Sequence, residues 1–302
     1  MRKAMDTRRI VRLMAIVAVT VTHASTFASA QQPISRVTSR GPGGRYAMVN
    51  GLRMYYEVRG RGGVPLVVMH GAFSNIGTDF GKMLPTLSKN RMVIAIEAQG
   101  HGHTPDIDSA LTYESMADRV AELLRQLRVE KADFMGYSMG GGTALYLAVR
   151  HPTLVRKLIY IGGAAYRPDG YYPQLMEGEE KMTAKDLAGT PWQKAYARIA
   201  PNPQDWPKLV DKIKQLDLGW KGLRDDDLRG IKSPSFLIVG DADVVRPEHV
   251  AQMYRLLGGG VPGDIVGLPR SQLAVLPGTT HVTIITKTDW LLSMITPFLS
   301  AK

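Results

Sequence analysis

Short, nearly unbroken apolar runs alternate with amphipathic stretches along most of this chain. The runs at 66–69, 92–96, 132–135, 158–161, 236–239 and 273–276 have the length of single strands. So few polar residues interrupt them that each strand must be covered on both faces, the condition of a mostly parallel sheet. Between them, residues 115–127, 141–149, 247–257 and 289–299 repeat apolar positions every three or four residues, so these segments supply the covering helices. Ahead of the first run the pattern is different: 46–49 and 52–58 are β-type segments joined by Asn50-Gly51, a dipeptide suited to a two-residue hairpin. The prediction is an α/β fold with a mostly parallel central sheet, an antiparallel N-terminal hairpin and helices on both faces. One stretch breaks the alternation. Residues from about 166 to 229 hold Trp192, Trp206 and Trp220 and prolines at 168, 173, 191, 201, 203 and 207, with no buried-strand run. That stretch reads as a helical cap inserted over one end of the sheet, its Tyr166, Tyr171, Tyr172 and Tyr196 serving either the cap's core or a substrate.

Composition supports one large domain. Of 302 residues 44% are hydrophobic and 22% charged, enough apolar material for a core, and no linker-like tract divides the chain. The formal net charge is +11. Part of it is local: residues 1–30 contain Arg2, Lys3, Arg8, Arg9 and Arg12 against Asp6, which leaves 33 basic and 26 acidic residues in the remainder. These alternate in sign and form no aromatic-flanked basic stripe, so a nucleic-acid partner is not expected. The absence of cysteine excludes disulfides, thiolate metal sites and a cysteine nucleophile.

The same first 30 residues read as an export leader. A basic start precedes an apolar run at 13–21 and then Ala28-Ser29-Ala30, a small-x-small cleavage pattern. The run is short for a bilayer span. The expectation is a signal peptide over 1–30, a mature domain over 31–302 without stable membrane insertion, and a periplasmic or secreted location. Arg8-Arg9 fits a twin-arginine signal, and equally the basic start of a general secretory leader.

The most informative residues are Gly136-Tyr137-Ser138-Met139-Gly140, a G-x-S-x-G motif set between the expected strand at 132–135 and the helix beginning near 141. In that context the motif describes a serine on a sharp strand-to-helix turn. Turning so tightly forces the serine backbone into a strained conformation, and glycines two residues either side remove the resulting collisions. The serine hydroxyl then stands clear of the sheet at a helix N-terminus, where unpaired N–H groups face any negative charge that develops. A serine hydroxyl still needs a base within reach and a carboxylate to orient that base.

With these residues the sequence resembles the α/β-hydrolase superfamily over essentially the whole expected mature chain, as a serine-nucleophile, esterase- or lipase-like member with a cap. The resemblance implies an order of serine, acid and histidine at the carboxyl ends of strands. Three histidines follow the elbow. His151 lies at the far end of the elbow helix and His249 inside a later helix, whereas His281 follows the last strand and the turn Pro277-Gly278-Thr279-Thr280, where the family places its base. Gly240-Asp241-Ala242-Asp243-Val244-Val245-Arg246-Pro247 looks like the family's acid loop, and residue-by-residue matching selects Asp243; Asp241 is expected to accept backbone hydrogen bonds within the turn. The resemblance further implies an oxyanion hole from the backbone N–H groups of Ala72 and Met139, with His70 bracing the Ala72 loop. The segment from Glu97 to Thr104 departs from the family's usual Asp and Arg-Gly-x-Gly-x-Ser pattern, which weakens transfer of any one subfamily's substrate. His101 and His103 lie within it and are expected to be structural, since two histidines in one turn lack further metal ligands.

The resulting expectation is an exported serine hydrolase cleaving a carboxylic ester or related small-molecule acyl substrate, with Ser138, Asp243 and His281 as catalytic residues and no cofactor or metal. Alternatives on the same three residues are carbon–carbon bond hydrolysis, a lyase or a perhydrolase; a non-catalytic binding protein of the same fold is the alternative of a different class. Fold analogy does not separate these.

Overall fold

The computed structural model describes residues 43–162 and 165–301, and the expected leader lies outside them. Eight strands form a single sheet: β1 Gly44–Val49, β2 Leu52–Arg59, β3 Leu66–Met69, β4 Val93–Ile96, β5 Ala132–Tyr137, β6 Val155–Ile161, β7 Ser235–Ala242 and β8 Gln272–Thr280. Their spatial order is β1-β2-β4-β3-β5-β6-β7-β8. β2 pairs antiparallel with both β1 and β4, and every other neighbouring pair is parallel. Asn50 and Gly51 turn the first hairpin with φ of 48° and 80°, the positive values a primed two-residue turn requires.

Strand alternation divides the core between the two faces of the sheet. Val67, Met69, Ile94 and Ile96 point to the side covered by helices Tyr113–Gln126 and Met139–Arg150. Leu66, Val68, Val93 and Ala95 point to the other, where Phe80, Leu84, Leu291 and Ile295 pack. Both faces are dry, which is why the inner strands carry so few polar residues. Helix Tyr113–Gln126 begins at a reciprocal cap in which Thr112 and Ser115 satisfy each other's backbone N–H, and it buries Met116, Val120, Leu123 and Leu124 at helical spacing.

The last strand departs from the sequence reading. Residues 277–280, expected as a turn, continue β8, and a register shift between Gly240 and Ala242 sets Ala242 opposite Thr280. The Asp241 carboxylate explains the difference. It accepts the N–H groups of Gly278 and Thr279 at 3.0 and 3.1 Å, supplying acceptors where the irregular ladder lacks them. Asp241 therefore bridges to β8 as well as accepting within its own turn, and the backbone donors of Gly278 and Thr279, with those of Asp241 and Ala242, hold its carboxyl below the usual carboxylate range.

Between β6 and β7 the chain forms helices Pro173–Lys181, Pro191–Ile199, Trp206–Gly219 and Asp225–Gly230. Each of the first three has proline in its first turn, where a missing N–H costs nothing. Tyr196, Trp206, Leu209, Val210, Ile213 and Leu216 join the apolar cluster on the elbow-helix side of the sheet. Polar contacts fix the seat. Lys212 Nζ donates to both carboxylate oxygens of Asp106, at 2.7 and 2.9 Å, and to the carbonyls of Ile107 and Ser109. Trp220 Nε1 donates to the Tyr146 hydroxyl of the elbow helix at 2.7 Å. No helix among the described residues is long and apolar enough to cross a membrane.

Candidate active site

Ser138 sits between the end of β5 and helix Met139–Arg150 with φ 52° and ψ −121°, a region of backbone space that side chains rarely occupy. Neighbouring glycines make the turn possible. A Cβ on Gly136 would overlap the Gly140 carbonyl, and one on Gly140 would overlap the Met69 carbonyl at the end of β3. The turn is tied to its surroundings, since the Ser138 N–H donates to the Ile161 carbonyl of β6 at 3.0 Å. The Ser138 carbonyl accepts from Gly142 N–H at 3.0 Å and starts the helix.

His281 and Asp243 reach the serine from the ends of β8 and β7. His281 Nε2 lies 2.8 Å from Ser138 Oγ and its Nδ1 lies 2.9 Å from Asp243 Oδ1. The same Asp243 oxygen accepts the backbone N–H of Val244 at 2.7 Å, so it is an acceptor, and His281 Nδ1 carries the proton between them. Nε2 is thereby left as the acceptor facing the serine hydroxyl. The Asp243 side chain is fully enclosed while that of His281 is 17% exposed, so the carboxylate is sealed behind the imidazole and the imidazole opens toward the serine. Two devices hold the ring. Thr280 and Thr283 form a reciprocal cap that starts a short helix at His281, and the Tyr137 hydroxyl donates to the His281 carbonyl at 2.9 Å.

The loop after β3 carries Ala72. His70 Nε2 accepts the N–H of Ala98 at 3.1 Å, which requires the proton on Nδ1, and Nδ1 donates to the Gly71 carbonyl at 2.7 Å. Asp79 holds the loop from its other side: its carboxylate accepts Gly71 N–H at 2.8 Å and the Ser74 hydroxyl at 2.6 Å. Burial pushes the Asp79 carboxyl up, with these bonds acting against it. Phe73 in the same loop has φ 59°, a further strained residue beside the serine. Ala72 and Met139 both line the cavity that contains Ser138 and His281, and Met139 opens its helix, where a backbone N–H has no intrahelical partner.

That cavity holds about 780 Å³ and lies between the sheet's carboxyl end and the cap, a volume in the range of small-molecule sites. Its cap wall includes Met176, Met182, Leu187, Trp192, Ile213 and Leu216, and is mainly apolar. Of the cap tyrosines, Tyr171 lines the cavity; Tyr166 and Tyr196 are buried away from it.

The remaining histidines among the described residues stand elsewhere. His151 Nε2 contacts Asp118 at 2.8 Å, and His249 Nε2 accepts Tyr166 N–H at 3.2 Å. His101 is buried, with Nδ1 donating to the Gln99 carbonyl at 2.9 Å, and burial pulls its pKa down to about 3. His103 pairs with Glu97 at 2.9 Å. Among the described residues no three His, Asp or Glu side chains converge as a metal site would require. Asp79 and Tyr137 escaped the sequence reading. Tyr137 occupies an unrestricted motif position, and nothing in the pattern around Asp79 distinguishes it from a surface acid at a helix start.

A family model described as alpha/beta hydrolase fold matches residues 64–288. "Serine hydrolase BPHL" of Homo sapiens is 28% identical over 245 residues, which cover 74% of this chain and 81% of that protein. "2-hydroxymuconate semialdehyde hydrolase" of Pseudomonas sp. (strain CF600) is 35% identical over 124 residues, 40% of this chain and 44% of that one. Among solved structures, the enol-lactonase from Burkholderia xenovorans LB400 superposes with a TM-score of 0.64 at 21% identity, covering 85% of this chain and 100% of that one, a likeness of fold.

Proposed function

Since this chain belongs to the α/β-hydrolase family, we propose that it is a serine hydrolase that cleaves a carboxylic ester or related acyl substrate through an acyl-enzyme intermediate. The observation that carries the reading is the unbroken relay from Asp243 through His281 to Ser138, with links of 2.9 and 2.8 Å. Ser138 Oγ attacks the acyl carbon while His281 Nε2 takes its proton, and Asp243 stabilises the imidazolium that forms. The oxyanion of the tetrahedral adduct is held by the N–H groups of Met139 and Ala72. Collapse expels the alcohol, which receives its proton from His281 Nε2. Water then attacks the acyl-serine, its proton passing to His281, and the carboxylic acid leaves as Ser138 is regenerated.

Support for an acyl substrate comes from the mostly apolar cavity around the relay and from a relative named as a serine hydrolase. A relative named for 2-hydroxymuconate semialdehyde keeps carbon–carbon cleavage as the second reading. The test is release of p-nitrophenol from acetate, butanoate and octanoate esters, with ¹⁸O-labelled water to locate the incorporated oxygen. Label in one oxygen of the acid product is expected. A folded protein that releases no phenol from any of the three esters contradicts the proposal, and acid without label contradicts hydrolysis. The proposal includes export: residues 1–30 act as a cleaved leader, so protein recovered outside the cytoplasm begins near Gln31. A cytoplasmic protein with an intact N-terminus refutes that part.

A further inference from the structure

Two acids in the cap take no part in the mechanism above. Glu179 lies on helix Pro173–Lys181 and Asp217 on helix Trp206–Gly219, two cap helices that pack together, and both side chains line the cavity that holds Ser138. Each stands in the last turn of its helix, where the dipole disfavours negative charge. Glu179 Oε2 is buried without a hydrogen-bond partner, and Asp217 has neither hydrogen bond nor ion pair among the described residues. Burial pushes the Glu179 carboxyl up to about 7, and burial together with Glu179 drives Asp217 well above the carboxylate range. The cation that acts on Glu179 is Lys214, yet its Nζ is directed to the Met182 carbonyl at 3.5 Å. Arg198 also lines the cavity but is not among the main charges acting on either acid.

Burial, mutual repulsion and two helix dipoles all oppose this pair, and Lys214, the cation that acts against them on Glu179, forms no ion pair with either acid among the described residues. Such a cost is characteristic of sites whose compensating group arrives with a ligand. The cavity wall beside the acids adds a second feature of matching chemistry. Tyr113 and Tyr171 line it, both close enough to Asp217 for its charge to raise their hydroxyl pKa. They belong to an aromatic group in which Trp220 stands edge-on to both, at 5.7 and 6.4 Å. Carboxyl groups beside aromatic rings in a mainly apolar cavity suit an organic cation. The wall's apolar residues suit the alkyl part that joins such a cation to the acyl centre.

We propose that Glu179 and Asp217 form a specificity subsite for a substrate ammonium group, so that the enzyme prefers amine-bearing esters over their neutral isosteres. This rests on the serine-hydrolase reading of the same cavity. The experiment compares n-alkylammonium ions, butyl to octyl, with the matching n-alkanols as competitive inhibitors of p-nitrophenyl acetate hydrolysis, and measures direct binding of both series by calorimetry. The best-fitting ammonium is expected to bind at least about ten-fold tighter than its alkanol, the scale of a charge-assisted hydrogen bond. That ratio is expected to fall toward one in Asp217→Asn and in the Glu179→Gln, Asp217→Asn double variant. Because each substitution removes an ionisable group that burial opposes, both variants are expected to keep or raise the melting temperature. An ammonium preference absent from the unmodified enzyme, or one that persists in the double variant, overturns the subsite and leaves the hydrolase reading intact. Loss of ester turnover in a protein that still binds ammonium selectively overturns the hydrolase reading alone.

Discussion

Replacing Gly140 by alanine tests whether the elbow and the loop after β3 work as one device. The new Cβ would fall 2.7 Å from the His70 carbonyl oxygen and nearer still to the Met69 carbonyl, both backbone atoms that cannot rotate aside. Ordinary carbon contacts lie near 3.5 Å, so strand end and helix start must part by roughly 1 Å. Overpacking of this kind destabilises by about 1–3 kcal/mol. The chemistry suffers more, because Met139 lies on one of the separating elements and Ala72 just beyond the other. A misplacement of about 1 Å costs on the order of 10²-fold, and loss of one oxyanion donor about 10²- to 10³-fold. The expected result is a kcat/KM on p-nitrophenyl butanoate reduced about 10²-fold or more in a variant that remains folded by chemical denaturation. Gly219→Ala serves as the control, since a Cβ there meets nothing within 4 Å, and its kcat/KM should stay within about two-fold of the unmodified enzyme. A folded Gly140→Ala protein with unchanged kcat/KM would refute the argument that the close approach at the elbow sets the oxyanion geometry.

Other expectations follow from single contacts. Ser138→Ala should abolish turnover with little change in melting temperature. Ser138→Gly should also abolish it but raise stability, because φ 52° and ψ −121° suit glycine and such strain is worth about 1–3 kcal/mol; urea denaturation reads the difference. Asp243→Asn removes the carboxylate charge and offers His281 Nδ1 an amide donor, so the proton is no longer held on Nδ1 and steady-state kcat should fall about 10³- to 10⁴-fold. Tyr137→Phe leaves the His281 carbonyl without its donor, so stability should drop by about 1–2 kcal/mol and kcat fall with it. Glu179 has a folded pKa raised from 4.5 to about 7 beside Asp217, Tyr171 and Lys214. Its stabilisation is full at low pH and is lost as pH rises through about 7. Melting temperatures measured from pH 4.5 to 7 should therefore decline more steeply in the unmodified protein than in Glu179→Gln; parallel profiles would contradict the assignment.

Local rules carried the sequence reading far because the features involved are written locally. Strands buried on both faces leave unbroken apolar runs, and the runs at 66–69 and 92–96 lie within a residue of β3 and β4. Asn50-Gly51 announces a positive-φ turn in two residues. Ser138, Asp243 and His281 could be picked out because each follows a strand in a recognisable motif, and the structure brings the three together. What escaped depends on partners distant in the chain. Pro277-Gly278 reads as a turn until Asp241, 37 residues earlier, supplies acceptors that continue the strand. Asp79 gains its role through Gly71 and Ser74 on a loop whose path the hydrophobic pattern does not encode. Glu179 and Asp217 are unremarkable acids on amphipathic helices until the cap folds and turns both toward one cavity.

The most direct test of the central claim, that His281 activates the Ser138 hydroxyl, is covalent labelling by a fluorophosphonate followed by intact-mass measurement and peptide mapping. One adduct per chain, located on Ser138, absent from Ser138→Ala and formed far more slowly by a folded His281→Gln variant, is the predicted result. A folded protein that remains unlabelled, an adduct on another residue, or an undiminished labelling rate in His281→Gln would contradict it.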